Sequence, residues 1–106
     1  MTDFLDLMKQ AAELKSKMEA MQAELDRIEV EGSSGAGLVV VRLSGKGEMK
    51  GVTIDASLVK PQEKEIMEDL IVAAHTDARR KAESLLQEKM QNVAGGLPLP
   101  PGLKLF

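Results

Sequence analysis

The side chains of this sequence that are best able to bind a ligand are basic, and three of them are consecutive. Arg79-Arg80-Lys81 lies in a helical pattern, where adjacent residues fan about 100° apart, so these three cannot all face one direction. In one interpretation they form a solvated surface run, with Asp77 paired to Lys81 and Arg79 paired to Glu83 at i, i+4 spacing. In the other, they bind the phosphates of a nucleic-acid backbone.

A second set of basic residues lies in the first helical stretch and comprises Lys9, Lys15 and Lys17. Glu13 and Glu19 alternate with these lysines and dilute any positive patch. The chain has a net charge of −3 and a pI of about 5.2, whereas a nucleic-acid-binding domain is typically basic. This charge does not exclude local binding, because recognition depends on where the charges lie.

Residue types that are typical of enzymatic and metal sites are sparse. Cysteine is absent, and the only histidine, His75, has no second residue with which to form a catalytic pair or a metal site. The glycines of residues 32–37 precede a strand pattern, whereas a phosphate-binding loop precedes a helix. We therefore expect no enzymatic activity, no metal and no cofactor. Four carboxylates instead complement the dipole at the start of the second long helical pattern: Glu63, Glu65, Glu68 and Asp69.

The elements that position these charges begin with a long helix, predicted from Thr2 or Asp3 to Arg27. Its apolar residues recur at alternating steps of three and four, which is the spacing of a heptad seam. Such a helix spans about 40 Å, which is more than a small sheet can cover. Part of the seam should therefore pack on another long helix, in this chain or in a partner. The seam consists of Phe4, Leu7, Ala11, Leu14, Met18, Met21, Leu25 and Ile28.

A β-meander is predicted after this helix, because short apolar runs alternate with glycine-rich turns. Gly51 in the last run predicts a bulge or a close approach of the backbone. The predicted strands are Ile28–Glu31, Leu38–Leu43 and Glu48–Ile54, joined by turns at residues 32–37 and 44–47.

The second predicted strand is apolar at nearly every position, which is typical of a strand covered on both faces. Three short strands with open edges are marginally stable alone. Both features favour a homodimer that forms through the sheet region. We expect its interface to contain six residues of these strands: Leu38, Val39, Val40, Val41, Val52 and Ile54.

The second long helix is predicted from Pro61 to Val93, and we assign residues 1–94 to a single domain. Residues 95–106 form a tail rich in proline, glycine and large apolar residues. The tail is too apolar to remain free, and it could dock on the domain, on a second protomer or on a partner. No stretch of about 18 apolar residues occurs, so we expect no membrane-spanning helix and no membrane partner.

Five motifs follow one another at a specific spacing: Leu7–Ala11, Gly32–Val39, Val52–Leu58, Glu68–Ala74 and Leu99–Lys104. Over essentially the whole chain, their order resembles that of the YbaB/EbfC family of nucleoid-associated proteins. The resemblance implies an α+β fold in the order α-β-β-β-α, with a small three-stranded antiparallel sheet flanked by two long helices. It also implies a bacterial homodimer from whose joined sheets the helices project as arms.

The same resemblance implies non-enzymatic DNA binding and nucleoid organisation in the cytoplasm, with possible effects on gene expression. In that family the DNA contacts are attributed to the two long helices. The matching basic positions here are Lys9, Lys15, Lys17, Arg79, Arg80 and Lys81.

Two functions therefore remain open. The first is a DNA-binding homodimer that contacts mainly phosphates, since the sequence offers no aromatic platform on which bases could stack. The second is a protein-interaction module that docks a partner through the tail and through Met8, Met18 and Met21 of the seam. The acidic charge favours the second, and the salt dependence of DNA binding distinguishes the two.

Overall fold

The computed structural model describes residues 3–94, and its order of helix, three strands and helix confirms the predicted α+β fold. Two short 3₁₀ turns, Ala56–Leu58 and Pro61–Glu63, precede the second helix. The predicted tail, residues 95–106, lies outside the described residues. The elements are α1 (Phe4–Arg27), β1 (Glu29–Ser34), β2 (Val39–Ser44), β3 (Met49–Ile54) and α2 (Lys64–Ala94).

The three strands form one antiparallel sheet in the order β1-β2-β3. Its core face is turned toward α2, where Val39, Val41 and Leu43 of β2 are fully buried. The residues between them, Val40 and Arg42, point to the opposite face and are half-buried. Within one chain, β2 is therefore covered on one face and not on both.

This alternation shows which residues of the predicted dimer interface are accessible in a single chain. Val39 and Val41 belong to the core of the chain itself and have no accessible surface to offer a partner. Leu38, Val40 and Ile54 are half-buried, and Val52 is exposed. The uniform apolar character of β2 could not reveal this, because valine suits both a core and an interface.

The prediction of a single glycine-rich turn over residues 32–37 is wrong, because Gly32–Ser34 extend β1. The chain turns only after Ser34, with Gly35, Ala36 and Gly37 at positive φ. At Gly32, an added Cβ would overlap backbone atoms of Ala74 and lie 2.7 Å from the Cα of Ala78. Glycine is needed there because it lets β1 touch the backbone of α2.

A bulge or a close approach of the backbone was predicted at Gly51, and the structure has an irregular register directly beside it. The register between β2 and β3 shifts between Arg42 and Leu43, whose partners are Gly51 and Met49. The Arg42 guanidinium occupies the space that a side chain at Gly51 would need, and its Nη1 donates a hydrogen bond to Thr53 Oγ1 at 2.9 Å. The bulge thus fixes a cation on the sheet face that is turned away from α2.

Helix α2 crosses β1 and β2 but makes few contacts with β3, so Met49 and Val52 of that strand remain exposed. Beyond the sheet, α2 continues beside the C-terminal end of α1. Met21 and Leu25 of α1 are buried there. Within residues 3–94, neither helix carries an apolar stretch sufficient to cross a membrane. We call the sheet with residues 64–82 the base, and α1 with residues 83–94 the arm.

Candidate nucleic-acid interface

The basic run Arg79-Arg80-Lys81 lies where α2 leaves the sheet, and its side chains point to two sides of the helix. Arg79 lines an open cleft of about 320 Å³ beside the β2–β3 turn. Arg80 and Lys81 line a surface on the opposite flank, next to Val30 of β1. The structure thus separates the three residues as helical geometry predicts.

Lys81 is tied to the edge of the sheet. Its Nζ donates a hydrogen bond to the carbonyl oxygen of Glu31 at 2.8 Å and lies 3.3 Å from Asp77 Oδ2. The same Asp77 oxygen accepts a hydrogen bond from the backbone N–H of Ser33 at 3.0 Å. The Ser33 N–H, followed by Lys81, holds the pKa of Asp77 below its ordinary value. Asp77 and Lys81 therefore cap the outer edge of β1, which blocks its pairing with another strand.

The other two members of the run are freer. Arg79 Nε lies 3.7 Å from Glu83 Oε1, an exposed pair that confirms the predicted i, i+4 spacing. Arg80 is exposed and makes no ion pair within residues 3–94. Of the three consecutive cations, Arg80 thus has the guanidinium most available to an external anion.

The three lysines of α1 are exposed, and none forms an ion pair within the described part of the chain. Lys15 and Lys17 are two positions apart and therefore lie about 200° apart around the helix. Lys17 faces the cleft between α1 and the end of α2, which Lys89 also lines. Lys9 is exposed about 12 Å farther along the helix axis.

The six predicted DNA-contact residues do not form one compact patch. Lys17 lies opposite Asn92, which is about 18 Å along α2 from Arg80. The cations are spread along a molecule that measures 71 × 26 × 16 Å. Such an arrangement fits a long polyanion better than a small anionic ligand, which needs converging groups.

Two ion pairs that no sequence pattern predicted link α1 to other elements of the fold. Lys89 Nζ on α2 donates a hydrogen bond to Glu24 Oε1 on α1. Lys46 Nζ, in the β2–β3 turn, lies 3.1 Å from Asp26 Oδ2. The partners are far apart in sequence, so no local spacing could have predicted these pairs. Lys46 and Lys89 thus position the helices that carry the freer cations.

The cleft beside the β2–β3 turn also contains the half-buried His75. Gly45 in this turn donates its backbone N–H to the carbonyl oxygens of Leu25 and Ile28, at 2.9 and 3.0 Å. Its N–H group is therefore not available to an anion. Among residues 3–94, no group of His, Asp and Glu side chains is arranged to hold a metal ion.

Known proteins resemble this chain in sequence and in fold. A family model described as the YbaB/EbfC DNA-binding family matches residues 1–97. A nucleoid-associated protein of Rhodopseudomonas palustris (strain BisB5) is 69% identical over 105 residues, which cover 99% of each chain. A nucleoid-associated protein of Nitrobacter winogradskyi is 65% identical over 103 residues, or 97% of each chain. The crystal structure of an uncharacterized protein from Helicobacter pylori has a TM-score of 0.81 at 25% identity, covering 90% of this chain and 100% of that one.

Proposed function

The chain belongs to the YbaB/EbfC DNA-binding family, and we propose that it is a non-enzymatic DNA-binding protein that acts as a homodimer. We place its work in the bacterial cytoplasm, on the nucleoid, with effects on nucleoid organisation and gene expression. The names of the relatives from Rhodopseudomonas and Nitrobacter, which call those proteins nucleoid-associated, support this assignment.

The observation that carries the proposal is a set of exposed cations that form no ion pair within residues 3–94: Lys9, Lys15, Lys17 and Arg80. Double-stranded DNA carries one negative charge per about 1.7 Å of its axis, so cations spread along a helix meet phosphates at many registers. Aromatic residues make up only 2% of the chain, which leaves no platform for stacking bases. Binding should therefore depend on phosphates and vary little with DNA sequence.

A second copy of the chain has an apolar surface on which to pack, namely the part of β3 that α2 leaves uncovered. Met49 and Val52 are exposed there. On α2, the exposed Val72 lies one turn before His75, which lines the cleft beside the β2–β3 turn. The opposite face of the sheet is more polar, with Arg42 bonded to Thr53. We propose that Met49, Val52 and Val72 contribute to the dimer interface in place of the buried Val39 and Val41.

Dimerisation would help an acidic chain to bind DNA. The two arms of a dimer would carry twice the number of unpaired lysines. The base regions of the two chains, packed on each other, would hold the arms at a fixed separation. Phosphate contacts on two arms act through effective concentration, so the second arm binds with little additional loss of freedom. The net charge of −3 per chain would then matter less than the local charge of each arm.

The function is tested by titrating DNA binding across salt while measuring the mass of the protein in solution. We expect a dimer whose affinity falls steeply with salt, with a slope of log K against log salt of about −0.9 for each phosphate contact. Affinity that is independent of salt would contradict phosphate-dominated binding. Val52→Glu should convert the dimer to a monomer, whereas Thr53→Glu on the opposite sheet face serves as the matched control.

A protein-interaction module remains the second candidate because several seam residues of α1, including Phe4, Leu7 and Met8, are exposed. Such a surface can dock the apolar face of a partner. Two results would support this candidate. The protein would not be retained on DNA at moderate salt, and it would capture a partner protein only when residues 95–106 are present. DNA retention with the expected salt slope would instead favour the first candidate.

A further inference from the structure

The apolar stripe of α1 is covered at one end only. Leu25 and Met21 are buried where α2 lies beside them. Farther from the base, the exposed fraction of the stripe residues rises from 37% at Leu14 to 52% at Leu7 and 70% at Phe4. A stripe that is continuous in sequence thus loses its cover where α2 ends.

The position at which α2 ends indicates what covers the rest. Helix α1 runs toward the sheet and α2 runs away from it, so the two helices are antiparallel. Asn92 and Val93, near the end of α2, line one cleft with Lys17 and Met21 of α1. Helix α2 therefore ends near the level of Lys17, with its axis directed along α1 toward Phe4.

We propose that residues 95–106 of the same chain pack on the uncovered part of this stripe, from Leu14 to Phe4. These 12 residues contain five large apolar side chains, which need cover from water: Leu97, Leu99, Leu103, Leu105 and Phe106.

The reach of the segment is sufficient. Fully extended in a polyproline course, at about 3.1 Å per residue, the 12 residues reach about 37 Å, which is the upper limit of their span. The distance from Lys17 to Phe4 along α1 is only about 20 Å. Extended backbone on a helix seam also leaves its own polar groups facing water, as a proline-rich segment requires.

Charge and connectivity favour this occupant over a second copy of α1. The only charged side chain of the segment is Lys104, and the uncovered end of α1 carries Asp3 and Asp6. Because the segment continues directly from α2, it reaches the stripe at high effective concentration, whereas a second copy loses freedom of movement on binding. The inference is independent of DNA binding and concerns only what covers the stripe.

The test uses the methyl NMR signals of two methionines with matched exposure. Met8, beside the stripe, is 55% exposed, and Met49, on the uncovered strand of the base, is 53% exposed. Deleting residues 95–106 should shift the Met8 methyl signal and leave the Met49 signal in place. Phe106→Leu, which removes the aromatic ring and its ring current but keeps an apolar side chain, should shift Met8 in the full-length chain as well. A Met8 signal that responds to neither change would overturn the proposal.

The absence of cysteine allows a second, covalent test. The double variant Leu7→Cys, Leu103→Cys should form a disulfide within one chain, seen as altered mobility at the mass of a single chain under non-reducing denaturing conditions. The single variant Leu7→Cys is the control and should remain uncrosslinked. A covalent dimer from the single variant would show that a second copy of α1 covers the stripe. A covalent dimer from the double variant alone would show that the segment crosses to the partner. Either result would overturn the proposal.

Discussion

The base and the arm both contain an amphipathic helix, but the apolar stripe is buried to different extents in the two regions. In the base, α2 lies on the sheet, and its stripe of Ala74 and Ala78 has no exposed surface. In the arm, the stripe of α1 is buried at Leu25 and open at Phe4 and Leu7. An amphipathic pattern therefore specifies which face of a helix is apolar, but a neighbouring element decides whether that face becomes core.

The charged side chains of the two regions also differ in how many contacts they make within the chain. At the edge of the base, Lys81 and Asp77 bond to each other and to backbone groups of β1. On the outer arm, Lys9 and Lys15 make no such contacts within the described chain. Cations whose side chains bond to other groups of the fold are less available to DNA. We therefore assign DNA binding to the cations that form no ion pair within the described chain.

The largest expected effect comes from Gly32, where β1 touches the backbone of α2. Gly32→Ala should lower the free energy of unfolding by about 3 kcal/mol or more, because the added Cβ meets backbone atoms that cannot move aside. Urea unfolding at fixed protein concentration measures the loss. The neighbouring Ser33→Ala, on an exposed side chain, should change stability by less than about 0.5 kcal/mol. Equal effects at the two positions would refute the close packing described for Gly32.

Two leucines of the same stripe compare the covered and uncovered parts of α1 directly. Leu25 is 2% exposed and Leu7 is 52% exposed. Leu25→Ala should cost about 2–3 kcal/mol through lost burial and a residual cavity, whereas Leu7→Ala, which loses only contacts with the proposed cover of residues 95–106, should cost about 1 kcal/mol. Chemical denaturation of both variants provides the comparison. If Leu7→Ala were the more destabilising, the stripe would be covered in a way that this account does not describe.

The ion pair between Glu24 and Lys89, which links α1 to α2, should have a smaller effect. Their side chains are 51% and 25% exposed, so Glu24→Gln should cost about 0.5 kcal/mol. The loss should nearly vanish at about 1 M salt, where the screening length falls to about 3 Å. Glu19→Gln is the control, since Glu19 makes no ion pair within residues 3–94. A loss that high salt leaves unchanged would argue against an electrostatic link.

The smallest effect concerns Asp77 and pH. Hydrogen bonds from Ser33 and Lys81 lower the pKa of Asp77 in the folded state, so its contribution to stability is present above about pH 4. That contribution is lost as the pH falls through the lowered folded-state pKa. The difference in unfolding free energy between the wild type and Asp77→Asn should therefore shrink from pH 7 to pH 3. A difference that stays constant over this range would contradict the role given to the carboxylate.

Much of the base was predictable because its signals are local. Alternating apolar residues and glycine turns predicted the meander, and Gly51 predicted the bulge. The spacing of Asp77 and Lys81 predicted their ion pair, which the structure confirms. The role of Gly32 was missed, because a glycine that admits a helix backbone has the same sequence signature as a glycine in a turn.

The arm was less predictable because its contacts join distant parts of the chain. Glu24 and Lys89 meet only when α2 returns along α1, and nothing in the seam indicates that its cover ends near Met21. The division of Arg79 from Arg80 and Lys81 followed from helix geometry alone. That Lys81 is held by the Glu31 carbonyl depends on the docking of α2, which local spacing does not specify.

The central claim is that DNA is bound by exposed cations that form no ion pair, and three of these are lysines of the arm. The most direct measurement compares DNA affinity across salt for two triple variants that remove equal charge. One replaces the arm lysines with alanine and the other replaces three exposed lysines of the base region. The arm variant should lower the magnitude of the salt slope by about 2–3 for each arm that binds DNA and weaken binding at least about tenfold, with little change in the base variant. Equal losses from the two variants, or a larger loss from the base variant, would contradict the account. The arm set is Lys9, Lys15 and Lys17, and the base set is Lys50, Lys60 and Lys64.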